Sequence, residues 1–333
     1  MLLYIDGFDY YGVNQLSQRG WGGSMTFGNS TTTRFGVGQC LEIPTHTDAF
    51  RTIPENAATL FVGAAINVGN AQSLPIISFY DGSTCQIAVN MNSNGTLYIT
   101  RGTGSQLGST STYVVQTGVW NYWELGATID STNGSVTLKI NGQTILTVTG
   151  VNTSNSGNAY CNGVQFDYNS SGQYLNIDDL YICDSQGSAP TNTFLGDVRV
   201  YGSVPNGAGA STQWTPNGQS SNYECVDSIP PNSSDYVSSS TPGQTDLYTF
   251  PTIAVADSIL GVQVSYFAGK NDSGTRTIQS TVKSGSATAN GAENNLSATM
   301  TYYSDIFYDD PNTSAAWTLS AVNAMQAGVT EVA

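Results

Sequence analysis

A chain of 333 residues, 39% hydrophobic and only 10% charged, is long enough for two domains with separate cores and too apolar to be disordered. Its net charge of −15, from 24 acidic against 9 basic residues, argues against a nucleic-acid partner, because such a binder neutralises phosphates with Lys and Arg. An anionic membrane surface is disfavoured for the same reason. Ser, Thr, Asn, Gly and Gln replace the missing charges, which suits exported proteins and particle coats.

The apolar opening Met1-Leu2-Leu3-Tyr4-Ile5 meets Asp6 at once and has no basic stretch, so it does not read as a signal peptide. No apolar run approaches the roughly 20 residues of a bilayer span. Synthesis in a cytoplasm is the expectation. Residues 60–68 then read as a strand, and 86–91 with 96–100 flank the turn Asn94-Gly95. Residues 120–125 (Trp-Asn-Tyr-Trp-Glu-Leu) place large aromatics in or beside a core. The clearest hairpin is 135–140, Asn141-Gly142, 143–148. Val136, Leu138 and Ile140 alternate with polar neighbours, and Asn-Gly suits a type I′ turn. Residues 164–168 and 175–182 bracket another turn centred on Ser171, so a hairpin is expected there.

Residues 184–191 look like the exit from a first domain. A strand at 195–201 is expected next, then a Pro-, Gly-, Ser- and Asn-rich stretch, 202–244, too long for an ordinary loop. Strands at 259–267 and 275–282 should form a hairpin around 270–274. A strand at 298–304, a short helix within 317–326 and a final strand at 327–332 complete the chain. Many short strands with turn punctuation predict an all-β fold of two antiparallel β-sandwich (jelly-roll) domains. The expected division is 1–188, a strand and irregular connector over 189–244, and 245–333, with a second-domain start as early as 194.

Two segments carry a resemblance. Asp6-Gly-Phe-Asp-Tyr10 is followed by Arg34-Phe-Gly-Val-Gly-Gln-Cys-Leu41. Asn176-Ile-Asp-Asp-Leu-Tyr-Ile-Cys-Asp184 leads into Phe194-Leu-Gly-Asp-Val-Arg-Val200 and Trp214-Thr-Pro216. The first half resembles concanavalin-A-like, laminin-G-like jelly rolls. The combined order resembles a family of structural proteins of tailed bacteriophages. That resemblance implies a virion component: a capsid decoration, or a head, neck or tail protein.

Catalysis finds little support in the residues. Concanavalin-A-like glucanases use Glu-x-Asp-x-x-Glu, and that spacing is absent. His46 is the sole histidine and no Gly-x-Ser-x-Gly accompanies it, so it reads as an ordinary loop or strand-edge residue. Asp6, Asp9, Asp178 and Asp179 fall on the expected first and last strands of the first domain. As hard oxygen donors they are candidates for a structural Ca²⁺; otherwise they cap turns. No cofactor is otherwise expected. Tyr10, Tyr11 and Trp21 are candidate glycan-stacking residues, against the alternative of core packing. The expected hairpin would bring Cys161 near Cys183, within disulfide reach. The sites Asn29, Asn94, Asn152 and Asn295 match Asn-x-Ser/Thr at a frequency expected by chance.

The resulting expectation is a non-enzymatic virion structural protein, made in the host bacterial cytoplasm and displayed as a homo-oligomer against other virion proteins. The alternatives are a glycan- or receptor-binding adhesion module of a phage tail and a polysaccharide-degrading enzyme.

Overall fold

The computed structural model describes residues 1–28, 32–170 and 172–333. The chain divides into two compact units, Met1–Asp9 with Gly20–Val200 and Tyr10–Arg19 with Tyr201–Ala333. The first unit carries strands β1 (Leu2–Asp6), β2 (Trp21–Gly23), β3 (Thr26–Gly28), β4 (Cys40–Ile43), β5 (Thr47–Ala57), β6 (Thr59–Val68), β7 (Pro75–Asp81), β8 (Thr84–Met91), β9 (Leu97–Arg101), β10 (Ser105–Leu107), β11 (Trp120–Thr128), β12 (Gly134–Ile140), β13 (Gln143–Val151), β14 (Cys161–Tyr168) and β15 (Leu175–Asp184).

These strands form two antiparallel sheets. One is eight-stranded, in the order β13-β12-β11-β6-β15-β4-β3, with β1 also paired to β15. The other is seven-stranded, in the order β10-β9-β8-β7-β14-β5-β2. Strand alternation gives each sheet one apolar face. Leu41, Ile66 and Ile177 of the first sheet, and Phe79, Ile87 and Phe166 of the second, are all fully buried. The β12–β13 turn is as expected, with positive φ at both Asn141 (50°) and Gly142 (76°).

The expected hairpin of 164–168 with 175–182 does not form. β14 lies between β7 and β5 in the seven-stranded sheet, whereas β15 pairs with β6, β4 and β1 in the other. A connection of that length can cross between sheets as readily as it can turn within one, and apolar alternation does not tell the two apart. Cys161 therefore faces Ala57, and Cys183 faces Leu2 and Phe61. All five cysteines are free, which corrects the Cys161–Cys183 expectation. Asn29 and Ser171 lie outside the described residues.

Residues 195–201 form no strand. Three of their N–H groups are taken by side chains of the eight-stranded sheet instead. Leu195 N donates to the Tyr181 hydroxyl (3.1 Å), Gly196 N to Glu124 Oε1 (2.8 Å) and Val200 N to Asp179 Oδ1 (2.8 Å). This cover explains why β15 is buried along its whole length.

The second unit carries β16 (Gly207–Thr212), β17 (Thr215–Asn217), β18 (Tyr236–Ser238), β19 (Thr245–Thr249), β20 (Val262–Ala268), β21 (Thr277–Ser284), β22 (Ala287–Asn290), β23 (Asn294–Asn295), β24 (Thr301–Phe307), β25 (Asp309–Asp310), β26 (Ala315–Ala316), helix α1 (Leu319–Ala324) and β27 (Gln326–Glu331). A six-stranded sheet runs β16-β19-β27-β21-β22, with β23 also on β21. The β20–β24 ribbon packs on it. Val282 and Ala327 of the sheet meet Phe307, Val262 and Val264 of the ribbon, with Trp317 between them. The expected hairpin of 259–267 with 275–282 is thus a packing contact, because β20 pairs with β24 while β21 pairs with β27 and β22. The stretch 202–244 supplies β16, β17 and β18 of this unit. Thr318 caps α1 by accepting Ala321 N (3.1 Å).

Candidate functional site

Four strand registers fix a row of side chains on the outer face of the eight-stranded sheet. Leu41, Ile43, Ile66, Val68, Leu175 and Ile177 point inward and are essentially inaccessible. The residues between them therefore point outward. Directly paired neighbours then run Thr26–Glu42–Asn176–Asn67–Trp120 across β3, β4, β15, β6 and β11. Four strand intervals make this row roughly 19 Å long.

Glu42, Asn176, Asn67 and Trp120 of this row floor an open cavity of about 530 Å³, walled by Thr32, Thr33, Gly69, Gly118, Gln173 and Tyr174. Backbone bonds from Gly69 N to Tyr174 O (3.0 Å) and from Gly118 N to Val68 O (2.8 Å) hold the rim. Gly69 leaves room for it, since a Cβ there would fall 2.6 Å from Gln173 Cβ. Trp120 is half-buried and Tyr174 is exposed, so both rings can meet a ligand.

The polar floor is short of donors. Asn67 Oδ1, Asn176 Oδ1 and Thr33 Oγ1 are buried and meet no hydrogen-bond partner among the described residues. Asn176 is 9% exposed and Thr33 is 6% exposed. A buried polar atom left unsatisfied costs about 1–3 kcal/mol. Burial also raises the Glu42 carboxyl above its usual range. No Lys, Arg or His lines the cavity among the described residues.

The outer face of the seven-stranded sheet is also polar and aromatic. One row, Gly22–Phe50–Gln165–Ser78–Ala88–Thr100–Gln106, crosses all seven strands. Phe50 and Tyr80 meet edge to face at 5.7 Å, over Gly163. Asp48 lies directly opposite Asp167. Burial pushes Asp167 up to about 6 against the opposing hydrogen bond from Gln165 (2.6 Å), and the Asp48 charge adds to the rise.

The residues singled out from sequence fall elsewhere. Trp21 is 3% exposed and packs against Phe8 at 5.9 Å in the first unit's core. Tyr11 is 2% exposed, with the Arg19 guanidinium 5.1 Å from its ring centre and equally far from that of Tyr302. Tyr10 packs against Gly202. Packing therefore removes Tyr11 and Trp21 as stacking surfaces, which corrects that expectation. His46 is exposed and pairs with Asn169.

Asp9, Asp178 and Asp179 do lie close enough to influence one another electrostatically. Their oxygens are engaged by the protein, however. Asp6 Oδ1 accepts Phe8 N (2.9 Å), Asp9 Oδ1 accepts Gln39 N (2.7 Å), Asp178 Oδ1 accepts Asp179 N (2.8 Å) and Asp179 Oδ2 accepts Arg34 (2.8 Å). Among the described residues no three metal-ligating groups converge on a point that could hold an ion.

Glu42, Asn67, Trp120, Tyr174 and Asn176 were not singled out from the sequence as site residues. A signal was present in the two asparagines, which interrupt strongly apolar strands (Ala-Ile-Asn-Val and Leu-Asn-Ile) at outward positions.

No family model matches the sequence, and no curated protein is similar to it. Solved structures are similar to part of the chain. A cellulose-induced protein is 19% identical, covering 54% of this chain and 89% of its own, with a TM-score of 0.37. An endo-β-1,4-glucuronan lyase from Trichoderma reesei is 14% identical, covering 55% and 95%, with a TM-score of 0.39. Domain 4 of an extracellular arabinanase from Geobacillus stearothermophilus, solved with arabinotriose, is 15% identical, covering 54% and 91%, with a TM-score of 0.36. These likenesses transfer no residue role. The expectation of a virion structural protein is corrected here: the structures named include a glucuronan lyase and an arabinanase domain, and none of those named is a phage component. A charge-poor, Asn- and Thr-rich β-sandwich surface suits sugar contact as well as it suits a particle coat.

Proposed function

We propose that this protein binds a saccharide chain along the Trp120–Asn67–Asn176–Glu42 row. The observation that carries this reading is the set of buried, donor-starved oxygens of Asn67, Asn176 and Thr33 beside an accessible Trp ring. Sugar hydroxyls donate hydrogen bonds to such oxygens, and the apolar face of a pyranose lies flat on an indole. A row spanning four strands suits several consecutive sugar units rather than one.

Isothermal titration against a panel of neutral, amino and acidic oligosaccharides tests this reading. Binding by the intact chain, lost in Trp120→Ala and weakened in Asn176→Ala, supports it. Silence across the whole panel overturns it.

A second reading rests on Asp48 and Asp167. Two directly opposed carboxyls, one pushed up to about 6, form the kind of acid and base pair that cleaves a glycosidic bond. Release of reducing ends from a polysaccharide, abolished in Asp167→Asn, would favour it. No release from any saccharide that binds would leave the protein a binding module.

A further inference from the structure

We infer that the saccharide held in this cavity carries a positive charge, as an amino sugar chain does; the inference rests on the saccharide reading above. The polar atoms that lack partners are oxygens, and two of the three, Asn67 Oδ1 and Asn176 Oδ1, can only accept. Glu42 adds a carboxylate at the end of the same row, paired across the strands with Asn176. None of the lining residues is Lys, Arg or His, so no cation of the chain reaches the Glu42 carboxylate from the cavity wall. A ligand ammonium supplies donors for the amide oxygens and a counter-charge for Glu42.

The rings point the same way. Trp120 and Tyr174 border the cavity, and aromatic faces attract ammonium groups through their quadrupoles. The chain's net charge of −15 draws a cationic polymer toward the site and slows the approach of an anionic one. An acidic saccharide would bring a second carboxylate beside Glu42 with nothing to neutralise it. A neutral one would satisfy the amides but leave the Glu42 charge without a partner.

The test compares β-1,4-linked tetramers of glucosamine, N-acetylglucosamine, glucose and glucuronate by titration calorimetry at low salt, below the pKa of the sugar amine. The glucosamine tetramer should bind about tenfold or more tighter than the glucose tetramer, as one charge-assisted hydrogen bond provides. Glu42→Gln should bring the two to similar affinity, chiefly by weakening the glucosamine tetramer. Added salt should erode the preference in the native chain and not in the variant. Equal binding of the amino and neutral tetramers, tighter binding of the acetylated or acidic one, or a preference that survives Glu42→Gln would each overturn the inference while leaving the saccharide reading standing. Absence of binding by all four would remove both.

Discussion

Tyr181 donates its phenol to Glu124 at 2.6 Å across the backbone of Gly63. The three residues form one row on neighbouring strands, Glu124 on β11, Gly63 on β6 and Tyr181 on β15. The ring lies flat over the glycine to reach its partner. A Cβ at Gly63 would sit 2.0 Å from Tyr181 Cε1, so alanine there must expel the ring. Gly63→Ala is expected to destabilise the first unit by roughly 3 kcal/mol, the upper end for overpacking a closed interior. Urea unfolding followed by tryptophan fluorescence measures it; a midpoint unchanged from the native chain would show that the ring is not pinned.

The same row anchors residues 194–200. Tyr181 also accepts Leu195 N, and Glu124 also accepts Gly196 N. Tyr181→Phe removes a donor to a carboxylate that is 2% exposed and an acceptor for the covering segment. A loss of about 1–3 kcal/mol is expected. Hydrogen exchange at Leu195 and Gly196 should accelerate more than exchange in β12, which the segment does not touch through these bonds. Uniform acceleration across the unit would mean that the segment is held by other contacts.

Burial makes part of the first unit alkali-sensitive. Asp178 is pushed up to about 8, first by burial and then by the neighbouring Asp179 charge, and burial pushes Asp9 up to about 6. Each carboxyl is more easily protonated in the folded chain than in the unfolded one, whose value is near 3.8. The folded state therefore binds more protons, and stability falls as pH rises. The loss starts above about pH 4 and is complete once Asp178 has ionised, above about pH 8. Thermal melts between pH 4 and pH 9 should show this slope, and Asp178→Asn should flatten it between pH 6 and pH 9. An unchanged slope in the variant would place the ionisation elsewhere.

Much of the fold was legible because side-chain alternation and turn chemistry are local. Val136, Leu138 and Ile140 with Asn141-Gly142 specify the β12–β13 hairpin without help from the rest of the chain. The partner of a strand is a different kind of fact. Residues 164–168 and 175–182 alternate equally well whether they pair with each other or enter opposite sheets, so their sequence is silent on the choice. The stretch 195–201 has strand-like residues, yet its donors are captured by Tyr181, Glu124 and Asp179, all distant in sequence. The cavity was hidden for a related reason. Glu42, Asn67, Asn176 and Trp120 become neighbours only through the pairing order of β4, β15, β6 and β11. Trp21 and Tyr11 illustrate the converse: an aromatic side chain near the chain start carries no mark of whether it stacks on a ligand or on the core.

The cysteines offer a direct check on strand placement. Burial raises Cys40, Cys85, Cys161 and Cys183 to about 12, so at neutral pH they are thiols rather than thiolates. Thiolate is the reactive form, and all five side chains are buried. Native protein should therefore react slowly with a thiol-specific reagent, and denatured protein should expose five thiols without prior reduction. Cys161 and Cys183 sit in different sheets, opposite Ala57 and Phe61 respectively. If only three thiols titrate in denaturant until a reductant is added, two cysteines are bonded. Such a bond between Cys161 and Cys183 would require β14 and β15 to leave the sheets assigned to them.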